Sequence, residues 1–138
     1  MKLKIFLMCL FTVTFTHIVS GQQGASLSFT QRPTEKIEND FDIVIKTEIL
    51  ISRIELAKEF VVALSKDENS GLTEVNNILI THAGNNFFLN GDQLIQGGVL
   101  RYVTSFHKDL LLNNKVLVFY IIDNSGQSSN KITYSLKP

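Results

Sequence analysis

A chain of this size that performed chemistry would do it with few side chains. The candidates are His82 and His107, the acidic pairs Glu35/Glu38 and Asp67/Glu68, and the run Asp40-Phe41-Asp42. Imidazoles bind metals or move protons, but these two share no His-X-X-X-His spacing. They read as surface histidines, His82 at a strand end and His107 just past an aromatic strand. An acid–base pair needs burial or close neighbours to separate its pKa values. Glu35, Glu38, Asp67 and Glu68 fall in polar loops and read as solvated charges. Asp40 and Asp42 offer the oxygen ligands that Ca²⁺ takes, yet alternating carboxylates also fit the exposed side of a strand. No serine sits in a Gly-X-Ser-X-Gly elbow. Gly97-Gly98 lacks the further Gly and Lys of a phosphate loop. The residues therefore predict a non-enzyme with no catalytic residue, no metal and no cofactor.

The N-terminus changes the count of reactive groups. The chain has 138 residues, 13 basic, 13 acidic and one cysteine. Lys2 and Lys4 precede the apolar run Ile5 to Phe15, broken only by Thr12 and Thr14, and Val19 and Gly21 stand at −3 and −1 before Gln22. This order predicts a secretory signal peptide over residues 1–21. Its core is shorter than the roughly 20 apolar residues of a membrane span. Residues 22–138 then form one domain of 138 − 21 = 117 residues, with charge 11 − 13 = −2. Cys9 leaves with the signal peptide, so the mature domain is cysteine-free and cannot be stapled by disulfides as many small secreted domains are. The balanced charge argues against a nucleic-acid partner, which would need a basic surface. The mature chain has no membrane span, and the expected location is secreted, periplasmic or extracellular.

The elements read mostly as strands. Leu27, Phe29 and then Pro33 predict a short edge strand ended by proline. From Phe41 to Ile51, residues Phe41, Ile43, Ile45, Ile49 and Ile51 share one parity, which predicts a long half-buried strand. Residues 53–66 read two ways. Ser52-Arg53-Ile54-Glu55 fits a capping box, and Ile54, Ala57, Val61 and Leu64 share a helical face; yet Phe60, Val62 and Leu64 also alternate. Beyond the loop at Lys66 to Gly71, short apolar runs alternate with turns. These are Ile78–Ile80, Phe87–Leu89, Val99–Phe106, Val116–Ile122 and Ile132–Leu136. Asn90-Gly91 is a strong hairpin turn because both residues tolerate positive φ. Seven or eight such strands predict an all-β antiparallel sandwich. A helix at 53–66 would make it α+β instead.

Two resemblances follow from these residues. Leu27 to Ile51, with the last hairpin Val116 to Ile122, Asp123-Asn124-Ser125-Gly126 and Lys131 to Leu136, resembles immunoglobulin-like or fibronectin type III-like modules. That resemblance implies a β-sandwich with a binding or structural role. The chain lacks the core Trp and the cysteine pair of true immunoglobulin domains. Gln93-Leu94-Ile95-Gln96-Gly97 is similar to the Gln-X-Val-X-Gly loop of cystatin-type inhibitors. Together with a helix at 53–66 it implies an α+β protease inhibitor using the 93–97 loop. Ile95 replaces the usual Val, and the chain has no Trp for the second inhibitory hairpin.

Aromatic residues are the remaining resource. Phe87, Phe88, Tyr102, Phe106, Phe119, Tyr120 and Tyr134 crowd the C-terminal half. On strands, one parity faces the core and the other the surface, so of Phe119 and Tyr120 one points outward. Exposed rings would stack on sugars and imply a carbohydrate-binding module; buried rings would be core. The sequence thus predicts a small exported binding or structural module for a protein or surface polymer. A cystatin-like inhibitor and a carbohydrate-binding module are the alternatives. No individual ligand-binding residue is marked by the sequence.

Overall fold

The computed structural model describes residues 24–137. The predicted signal peptide and Cys9 lie outside them. Within them the chain forms nine strands: β1 (Ser26–Glu38), β2 (Asp42–Ser52), β3 (Ala57–Ser65), β4 (Leu72–Ala83), β5 (Asn86–Leu89), β6 (Gln93–Ile95), β7 (Val99–His107), β8 (Val116–Asp123) and β9 (Ile132–Ser135). They make two antiparallel sheets, with orders β1-β2-β7 and β6-β5-β4-β3-β8-β9. The fold is an all-β sandwich with one more strand than the upper expectation. Among the described residues no helix is long and apolar enough to cross a membrane.

Strand β2 follows its predicted alternation. Ile43, Ile45, Thr47, Ile49 and Ile51 are buried, while Lys46 and Ser52 are exposed. Phe41 departs from the pattern and is 63% exposed. It is the third residue of the turn that joins β1 to β2, where Asn39 and Asp40 both take positive φ. A turn residue has no pleat, so its parity predicts nothing.

Strand β1 runs past Pro33 to Glu38 instead of ending at the proline. Its register with β2 slips between Phe29 and Gln31 and again between Gln31 and Thr34. Pro33 falls in the second slip, where the ladder does not require its missing N–H. The Thr47 hydroxyl, buried on β2, donates to the Gln31 carbonyl at 2.7 Å and secures the irregular stretch. Glu35 and Glu38 consequently lie on a strand, not in a polar loop.

Residues 53–66 are not helical. A single 3-10 turn covers Ile54–Leu56, and β3 follows at once. Arg53 stands where a helix cap would be, at φ 57, and no side chain caps the turn. The capping-box reading fails there, and the α+β, cystatin-like alternative is overturned with it. The ambiguity has a physical cause. β3 lies between β4 and β8 and is buried on both faces, and a strand so placed loses the alternation that identifies strands. Phe60, Val62 and Leu64 enter the main core, whereas Ala63 belongs to a small second cluster with Val116 and Val118 on the opposite face.

The core centres on aromatic rings. Phe60 stacks on Phe119 at 5.7 Å and 11°, and Tyr102 meets Phe60 edge-on at 5.2 Å. Ile45, Ile49, Leu100, Leu117 and Ile121 close around them, all buried. Each such side chain contributes roughly 1.5–3 kcal/mol by leaving water. The described residues contain no cysteine, so this burial acts without a disulfide.

Candidate functional site

The residues singled out for chemistry do not converge. His82 is exposed near the end of β4, its ring 5.9 Å from Phe87. His107 ends β7 in the other sheet, where it stacks on Phe41 at 6.3 Å and its Nδ1 accepts the Asp109 N–H. Among the described residues no three His, Asp or Glu side chains gather around a common point.

Several acids serve the fold instead. Asp67 accepts the N–H groups of Asn69 and Ser70, both at 2.8 Å, and the Asn69 bond chiefly holds its carboxyl below the usual value. Asp123 accepts the Ser125 hydroxyl at 2.6 Å and the amides of Ser125 and Gln127, with the same downward effect. Glu35 accepts the Tyr134 hydroxyl at 2.6 Å and the Lys137 N–H at 3.1 Å. Desolvation first, and then this carboxylate, push the Tyr134 phenol up to about 12. Glu35 is therefore a tether from β1 to the C-terminal strand, not a solvated charge.

The aromatic side chains are mostly spent on packing. Tyr102, Phe106 and Phe119 are buried, and Phe87, Phe88, Tyr120 and Tyr134 are half-buried. Phe119 points inward and Tyr120 outward, in line with their adjacent parities. The Lys131 ammonium lies 5.5 Å over the Tyr120 ring and occupies the face a sugar would use. Among the described aromatics only Phe41, which the periodicity placed in the core, is exposed. Gln93 to Gly97 does not project as a free loop. Gln93–Ile95 is strand β6, Ile95 is buried, and Gly97 and Gly98 turn the chain into β7.

The two sheets differ in width, and that difference makes a groove. The smaller sheet ends at β7, while the larger continues through β4, β5 and β6. Strand β5 pairs with β4 only along Ile80 to Ala83, with one further bond from the Asn90 N–H to the Leu79 carbonyl. Among the described residues nothing pairs with that side of β4 from Thr73 to Ile78. A cavity of about 530 Å³ lies between this stretch and β7, and its lining includes Asn76, Ile78, Asp92, Tyr102 and Val103. Asn76 pairs with Val62 and Ile78 with Phe60, so both share the parity of core residues. Asn76 is nevertheless exposed, because the three-stranded sheet stops short of it.

The edge of β7 bounds this groove. The Arg101 carbonyl points away from β2 and accepts the Gln93 side-chain amide. Backbone direction repeats every second residue in an antiparallel pair, so the N–H and C=O of Val103 and Ser105 point the same way. The Val103 side chain is 58% exposed. The site is hidden in the sequence because the apolar run of this strand begins only at Ile78, whereas β4 begins at Leu72. The available signal was Asn76-Asn77, a polar pair directly before an apolar strand segment.

Compared with models of known protein families, with curated proteins and with solved structures, the chain matches none.

Proposed function

We propose that this chain is an exported, non-enzymatic binding module that recognises a protein or a surface polymer. One observation carries the reading: among the described residues the outer edge of β7 is unpaired, and it borders a groove that the narrower sheet leaves open. Binding surfaces of this kind need shape and hydrogen-bond donors, not tuned pKa values. The order β1-β2-β7 opposite β4-β3-β8-β9 supports the reading of an immunoglobulin-like or fibronectin type III-like sandwich, a framework on which binding sites are commonly built. Export is supported by the order of charge, apolar run and small residues over positions 1–21.

Two experiments test the proposal. The purified protein is cross-linked to the surface and secreted fractions of its source, and is separately applied to a glycan array. A saturable partner in either is the expected result. Hydrolytic turnover by the purified protein, abolished by a single substitution, would overturn the non-enzymatic reading.

A further inference from the structure

We infer that the groove takes an extended polypeptide segment as a fourth strand of the smaller sheet, hydrogen-bonded to Val103 and Ser105 on the free side of β7. The inference rests on the binding-module reading and adds the chemistry of the partner.

Val103 and Ser105 direct two N–H and two C=O groups outward, a pattern that a peptide strand satisfies and a sugar does not. Stacked sheets lie about 10 Å apart, and the larger sheet extends past β7 beneath the place where such a strand would run. Its inward side chains would meet Ile78 and Tyr102, which line the groove.

Side chains cover other positions along the edges of the smaller sheet. Leu27 on β1 has its N–H and C=O taken by the Asn130 side chain, and Arg101 on β7 has its carbonyl taken by Gln93. Natural edges are blocked by such contacts, by proline, by lysine or by bulges. The segment Tyr102-Val103-Thr104-Ser105 carries no charge and no proline, and its register with β2 is regular.

Among the described residues, Asp92 is the one acidic side chain lining the groove, and no Lys, Arg or His lines it. The occupant therefore alternates apolar residues facing inward with polar ones facing outward, and places a basic side chain near Asp92.

The test uses the purified full chain and a displayed library of random linear 12-residue peptides. Enriched peptides are expected to alternate apolar and polar residues and to contain Lys or Arg. A bound peptide should slow amide exchange at Val103 and Ser105 at least tenfold. Val103→Pro should weaken binding at least tenfold while the fold persists, because that N–H faces away from β2 and an edge strand tolerates proline there. Asp92→Lys, which touches no strand pairing, should weaken it threefold or more. Failure to enrich any peptide, protection mapped to another strand, or full affinity in both variants would overturn the inference. Protection of the same two amides that depends on protein concentration alone would assign the edge to a second copy and overturn it as well. A cross-linked native partner that leaves both amides unprotected would sink strand addition yet leave the binding-module reading intact.

Discussion

The side-chain amide of Asn130 makes to Leu27 the two hydrogen bonds that a neighbouring strand would make. Its Nδ2 donates to the Leu27 carbonyl and its Oδ1 accepts the Leu27 N–H, each at 2.9 Å. A residue in the loop between β8 and β9 thereby covers the outer edge of β1. Replacing it tests that role. Asn130→Ala leaves two partly buried backbone groups unpaired and should cost about 2 kcal/mol, at about 1 kcal/mol per lost bond. Asn130→Asp keeps an acceptor for the N–H but turns a carboxylate on the Leu27 carbonyl, so it should recover little. Urea unfolding measures the loss, and faster exchange at the Leu27 amide locates it.

Glu35 and Tyr134 form the second tie on the same seam. Tyr134→Phe removes one hydrogen bond to a carboxylate and should cost about 1 kcal/mol near pH 8, the partial exposure holding the value down. The folded phenol titrates at about 12, above its ordinary value of 10.0. Folding therefore favours the neutral phenol. The stabilisation is complete below pH 10 and is lost as pH rises towards 12. Thermal unfolding of both proteins from pH 8 to 12 should show their difference shrinking over that window. Tyr102, whose phenol burial also pushes up, is common to both and cancels.

Gly98 sits where the chain passes from one sheet to the other. Its φ is 76, its carbonyl accepts the Ile51 N–H at 2.7 Å, and a Cβ there would lie 2.9 Å from the Ile51 carbonyl oxygen. Gly97 shares the positive φ but has open space around it. Gly97→Ala should then cost only the left-handed backbone term, about 1–2 kcal/mol. Gly98→Ala should cost clearly more, since the opposing atom is backbone held in β2. Equal losses in a denaturant series would show that the close approach is unimportant.

The aromatic stack is the largest single commitment of the core. Phe60→Ala removes a ring packed against both Phe119 and Tyr102. The expected loss is about 3–5 kcal/mol, a large share of the roughly 5–15 kcal/mol that holds most domains folded. Equilibrium unfolding should place this variant near the limit of stability, while Tyr120→Ala, on the opposite face, should cost much less.

The sandwich was legible in the sequence through alternation and through apolar runs bounded by turns. Ile43 to Ile51 announced itself through alternation, Val99 to Phe106 and Val116 to Ile122 as apolar runs between turn residues, and Asn90-Gly91 through its tolerance of positive φ. β3 was not legible as a strand, because Val61 and Ala63 are buried behind Phe60 and Val62 and erase the period. Phe41 misled because a turn residue keeps the parity of its neighbours in sequence but not in space. The groove was hidden for another reason. It arises from unequal sheet widths, and no local pattern records how many strands lie opposite Asn76.

The strand pairing also sets a schedule. β2 finds its second neighbour only in β7, β3 finds one of its two in β8, and the edge of β1 is covered by residues from Asn130 onward. The apolar face of the β1–β2 hairpin is complete early, yet its covering strands are the last part of the chain to appear. A polypeptide threaded amino end first through a translocation channel would thus stay open and pliable until nearly all of it had crossed. It would lock only on the far side, when the final hairpin closes the seam.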